Sequence, residues 1–121
     1  MRSLCFIAYA ILFTGIAYGQ SLPTLITLDV GDILQAAIFT FPNVVTKCYL
    51  EGPGGRRVEF KPVDNSDEKF IKVPDTDVIQ CRANVTNIDE SDTGLWTMTA
   101  EYESGTVQSQ SYSLTVNPPK G

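Results

Sequence analysis

The sequence predicts an all-β chain folded as an antiparallel β-sandwich, and three observations carry that prediction. Beyond residue 20 the chain divides into eight or nine short runs rich in β-branched and aromatic residues, separated at regular intervals by Gly, Pro, Asn and Asp. Apolar residues in that region never settle into the helical spacing of three and four. The stretch Asn84–Met98 reads as a strand, a tight corner at Asp92-Thr93-Gly94, and a second strand in which Trp96 and Met98 share a face.

The first segment stands apart from this pattern. Met1-Arg2 leads into an apolar run from Leu4 to Ala17, about 14 residues, and small residues then surround Ala17-Tyr18-Gly19. A bilayer crossing takes about 20 apolar residues, so the run suits a cleaved signal peptide better than an anchor that stays in place. The expected organisation is a signal peptide over 1–19, one domain over 20–117 and a short tail or linker over 118–121. A domain of about 100 residues can bury a sizeable core. With no second apolar run and no lipidation box, no membrane anchor is expected. The mature chain reads as a free domain or as the front piece of a longer protein joined through Pro118-Pro119.

Leu22–Asp29 reads as an edge strand, because Pro23 near its start removes an N–H where least is lost. Ile33–Phe39 is short and apolar enough for a central strand. Val44–Leu50 is a β-rich run closed by Gly52-Pro53-Gly54-Gly55, strong hairpin punctuation, and Arg56–Phe60 is the return strand. Lys69–Val73 is a short strand between polar loops. Val78–Thr86 leads into the corner, Leu95–Tyr102 leaves it, and Thr106–Val116 returns after the turn at Glu103-Ser104-Gly105.

Loss of the leader leaves eight basic and fourteen acidic groups, a net charge of about −6. There is no basic stripe, which argues against nucleic acid as a partner. The pair Arg56-Arg57 reads as a solvated turn edge. Cys5 leaves with the leader, and Cys48 and Cys81 remain as an even pair in a chain routed to an oxidising compartment. One disulfide is therefore expected, with two buried free thiols as the alternative.

The corner resembles the one between strands E and F of immunoglobulin-superfamily domains, whose pattern is Asp-x-Gly-x-Tyr-x-Cys. Asp92 and Gly94 match it, while Trp96 stands at the Tyr and Met98 at the Cys. The resemblance implies an immunoglobulin-like sandwich of V or I type, and it allows two registers. With Cys48 as the strand-B cysteine, Ile33–Phe39 has no place. With Ile33–Phe39 as strand B, Ala36 or Ile38 takes the position of the first cysteine, and Cys48 falls near the place of the strand-C Trp. We prefer the second. It implies that the usual B–F cysteine pair is lacking and that the bond joins Cys48 on strand C to Cys81 at the head of strand E, still across the two sheets. The family pattern also implies a bracing pair between Lys69 and Asp92, and a Trp96 indole N–H donated to nearby backbone.

The chain contains no histidine. That removes Ser–His–Asp and Cys–His nucleophile systems, His-ligated zinc and the commonest acid–base catalyst near neutral pH. Asp64, Asp67, Glu68, Asp75, Asp77, Asp89, Glu90 and Asp92 lie almost entirely in turns, where carboxylates suit backbone hydrogen bonds, and no paired-carboxylate cleft stands out. Asp75-x-Asp77 and Asp89-Glu90-x-Asp92 are the plausible calcium donors, yet they match no calcium loop. The expectation is no enzyme, no cofactor and no metal.

Asn84-Val85-Thr86 is the sole N-glycosylation sequon. Cys81, Ala83 and Val85 alternate inward, so Asn84 points out, and a glycan there would shield its own sheet. The opposite sheet, strands C, C′, F and G of the resemblance, is left free. Its outer face would present Lys47, Tyr49, Thr97, Thr99 and Glu101, with outward Ser and Gln positions of the last strand. Tyr49 is its one rigid aromatic anchor, weighed against a lone surface aromatic that needs no explanation. What the resemblance implies is a secreted extracellular recognition module that binds a protein partner, or a second copy of itself, through this face in adhesion, signalling or humoral immunity. Two alternatives stand beside it: a soluble immune-type binder of microbial or glycan surfaces using Tyr49 with Gln108 and Gln110, and a structural module of a longer extracellular array.

Overall fold

Alternation makes most strands of this chain two-faced, and the two faces decide where each strand goes. In the computed structural model, which describes residues 22–119, Cys81, Ala83 and Val85 are buried while Arg82 and Asn84 between them are half-buried. The expected signal peptide lies outside the described residues. Among the described residues eight strands form: β1 (Thr24–Asp29), β2 (Leu34–Ile38), β3 (Val45–Gly52), β4 (Arg56–Lys61), β5 (Phe70–Lys72), β6 (Cys81–Val85), β7 (Gly94–Tyr102) and β8 (Val107–Asn117). They make a five-stranded sheet ordered β1-β8-β7-β3-β4 and a three-stranded sheet ordered β2-β6-β5, packed as a sandwich.

The pairings are antiparallel apart from β1 with β8, which run parallel from Thr24 opposite Tyr112 to Asp29 opposite Asn117. This departs from a purely antiparallel sandwich because β1 does not pair with its neighbour in sequence. The turn after Asp29 carries the chain across to the other sheet, where β2 pairs with β6, so β1 is left to close the edge beside β8. The expected strand over Val78–Thr86 is ordered as a strand only from Cys81. Before it, the buried Thr40 replaces the ladder: its N–H donates to Val78 O at 2.9 Å and its Oγ1 accepts from the Gln80 N–H at 3.0 Å.

The core lies between the sheets. Trp96, Phe60, Leu34, Leu50, Ile88, Met98, Leu114 and Val85 are fully buried in it. Cys48 and Cys81 form a disulfide inside this layer, joining β3 of one sheet to β6 of the other with Cα atoms 5.6 Å apart. Met98 Sδ lies 3.9 Å from Cys48 Sγ, and Ala36 is buried on β2. The Tyr112 hydroxyl donates to Ala37 O at 3.1 Å and accepts from the Ala37 N–H at 3.0 Å. It thereby caps the free edge of β2, where unpaired backbone groups would otherwise invite another strand.

The corner before β7 is built on Asp92. Asp89 caps a short 3-10 turn over Glu90–Asp92, and Asp92 returns the contact by accepting the Asp89 N–H at 2.9 Å. Lys69 Nζ donates to Asp92 Oδ2 and Arg56 Nη1 to Oδ1, both at 2.8 Å. Arg56 is thus no solvated turn edge, as its place beside Arg57 suggested: strand alternation puts it on the face of the buried Phe60, where its guanidinium stacks 4.9 Å from the Trp96 ring. Burial alone would push the Asp92 carboxyl up. The hydrogen bonds from Lys69, Asp89 and Arg56 outweigh that and hold it below the usual carboxylate value. Trp96 Nε1 donates to Asp92 O at 2.8 Å, and Gly94, at φ +141°, leaves room for the Pro53 ring.

Candidate functional site

Strands β3, β4, β7 and β8 present one continuous outer face, and register sets its rows. Lys47 stands opposite Glu101, Tyr49 opposite Thr99, and Glu51 opposite Thr97. The rows continue on β8 as Val107, Ser109 and Ser111, and on β4 Glu59 stands opposite Tyr49 and Arg57 opposite Glu51. Tyr49 on β3 is the aromatic residue of these rows. The Arg57 guanidinium lies 3.8 Å from its ring centroid and the Lys47 ammonium 5.8 Å from it. A cation over an aromatic face is attracted by the ring quadrupole, so the ring is held in place by its neighbours. Arg57 also pairs with Glu51 at 3.6 Å. The sequence reading did not place Arg57 on this face; the only signal for it was its odd spacing from Arg56 on a return strand.

The remaining expected face residues divide. Lys47, Thr97 and Glu101 lie on the face and are partly exposed. Thr99 does not present itself: it is 4 % exposed, on a central strand with Tyr49 and Ser109 on either side. Its hydroxyl is shared with Ser109 at 3.2 Å, as that of Thr97 is with Ser111 at 3.0 Å. The hydroxyl rows therefore satisfy one another, while Tyr49 is half-buried among charged side chains, of which Glu51 and Arg57 are exposed. Gln108 and Gln110 belong to the other face, since they stand opposite Ala100 and Met98. Gln108 accepts from the Tyr102 hydroxyl, and Gln110 reaches Thr24 on β1 at 3.2 Å. No amide from β8 joins Tyr49.

Elsewhere, Leu25 and Leu95 flank Ser113 at the β1 side of the same face, both exposed. At one end of the sandwich an open cavity of about 500 Å³ is lined by Phe41, Pro42, Val44, Asp75, Asp77 and Gln80 among others. Asp75 is paired with Lys61 there. Asn84 is half-buried on the outside of the smaller sheet, between Gln35 and Ile71. Among the described residues no group of three or more Asp, Glu, Cys or His side chains is placed to hold a metal, and no helix is long and apolar enough to cross a membrane.

No protein-family model and no curated protein sequence matches this chain. Solved structures do. The first immunoglobulin domain of mouse SynCAM 2 superposes with a TM-score of 0.61 at 17% identity, over 82% of this chain and 96% of that one. The first Ig-like domain of human CD48 gives 0.62 at 15% identity, over 90% and 93%. The ZIG-8 IG1 homodimer gives 0.58 at 12% identity, over 80% and 81%. At such identities the likeness is one of architecture: this chain has an immunoglobulin-like fold.

Proposed function

We propose that this chain is a secreted extracellular recognition module that binds a protein through the outer face of the five-stranded sheet. The observation that carries the reading is Tyr49, an aromatic ring on β3 of that face with the Arg57 and Lys47 cations over it. A rigid aromatic with an Arg beside it is the combination that carries binding energy in protein interfaces. Glu51, Glu59 and Glu101 around it add charges of the other sign, which set register and partner choice. Structures of this fold described as an IG1 homodimer, an IG1–IG1 heterodimer and an IG1 domain bound to a partner support protein or self recognition.

In this reading the leader 1–19 is removed, 20–117 is the binding domain and 118–121 the tail. The Cys48–Cys81 bond replaces the usual bond between the second and seventh strands, where Ala36 or Ile38 and Met98 stand. Recognition of polysaccharide loses the support of Gln108 and Gln110, which turn away from Tyr49. The test is a screen of residues 20–121, multimerised to raise avidity, against cell-surface ectodomains, itself and microbial polysaccharides. A hit on an ectodomain or on itself that Tyr49→Ala abolishes supports the reading. Binding to polysaccharide alone would overturn it.

A further inference from the structure

We infer that Asn84 accepts an N-linked glycan, and that the transfer must take place before β5 and β6 pair, because the folded domain withholds the acceptor. The inference rests on the secretory routing proposed above and not on the binding face. The Asn84 amide is turned from the core by the alternation of β6, and its Oδ1 is the one buried side-chain polar atom without a partner among the described residues. No neighbouring side chain therefore claims that oxygen. The rest of the sequon is committed. β6 is the middle strand of its sheet, with Val85 opposite Leu34 on one side and Phe70 on the other. The Thr86 N–H donates to Lys69 O at 2.8 Å, and its hydroxyl donates to Glu68 O at 2.8 Å.

An enzyme that reads Asn-x-Thr takes the three residues as a free segment and engages the hydroxyl of the third. In the folded domain that requires breaking both ladders of the middle strand and releasing the Thr86 hydroxyl. In the reaction, Nδ2 attacks the anomeric carbon of a polyprenyl-diphosphate oligosaccharide. The C–N bond forms, the C–O bond to the diphosphate breaks, and the Nδ2 proton passes to a base of the transferase. Once the sheet closes, the first sugar stands beside Ile71, which shares the Asn84 row and is otherwise 42% exposed.

The test translates the full chain with endoplasmic-reticulum microsomes. The expected product is protease-protected, carries the mass of one glycan that an amidase removes, and loses it in Asn84→Gln and Thr86→Ala but not in Tyr49→Ala. In a second arm, the folded, oxidised chain made without microsomes is given solubilised transferase and donor. It should be modified at least tenfold more slowly than the same chain reduced and carboxymethylated. Equal rates would overturn the order of events, and a protected chain without glycan would overturn the site. An unprotected chain would overturn the routing, and with it both the site and the proposed secretion.

Discussion

A Cβ on Gly52 would stand 2.5 Å from Cζ3 of Trp96. The ring cannot retreat, since it is fully buried and its N–H is tied to Asp92 O. Gly52→Ala is therefore expected to destabilise the domain by about 1–3 kcal/mol through overpacking. Urea unfolding checks it, and the same substitution in a Trp96→Phe background should cost less, because the smaller ring opens the space. An equal cost in both backgrounds would place the effect outside this contact.

Asp92 holds two cations with one buried carboxylate, and its loss should cost more than that of either partner. Asp92→Asn is expected to destabilise by about 3 kcal/mol, since Arg56 and Lys69 would be left against a group that cannot balance them. Because the folded pKa of Asp92 is lowered, its contribution is complete above the ordinary carboxylate value of about 3.9 and fades as pH falls through the folded one. Urea midpoints measured from pH 7 down into the acid range should fall less steeply in Asp92→Asn than in the wild type.

The Cys48–Cys81 bond closes a loop across a sequence separation of 33. In the chain-entropy model, the double substitution of both cysteines by Ala should cost about 3–4 kcal/mol. Thermal and urea unfolding of the oxidised wild type against the double variant measures it. A loss below about 1 kcal/mol would mean that the packing of Met98 and its neighbours holds the sheets together without the bond.

In protein made without glycan, the unpartnered Asn84 Oδ1 is a cost with no return. Asn84→Val removes it and places a β-branched residue in a middle strand, and should stabilise by about 1 kcal/mol. A loss of stability on this change would show that the amide makes a favourable contact with water or backbone in solution.

Much of this architecture was legible in the chain. Alternation and turn residues mark the strands, and the Asp92-Thr93-Gly94 spacing marks the corner into β7. What escaped were features set by partners distant in sequence. Arg56 and Arg57 look alike as neighbours, yet strand alternation sends Arg56 to Asp92, 36 residues away, and Arg57 onto Tyr49. Thr99 shares its row with Tyr49, but alternation gives direction and not cover, and a central position in the sheet buries it. The parallel pairing of β1 with β8 depends on which sheet edge remains free, which no local pattern encodes.

The central claim is that the Tyr49 face binds protein, and a glycan wedge tests it most directly. Ser109→Asn turns residues 109–111 into an Asn-Gln-Ser sequon on the row of Tyr49 and Thr99, two strands from Tyr49. Binding of the multimerised, secreted wild type, Ser109→Asn and Asn84→Gln chains is compared on the same ectodomain panel. The account predicts that the added glycan abolishes every protein hit while loss of the sequon on the smaller sheet leaves them in place. Hits that survive a fully occupied glycan at 109 would contradict it.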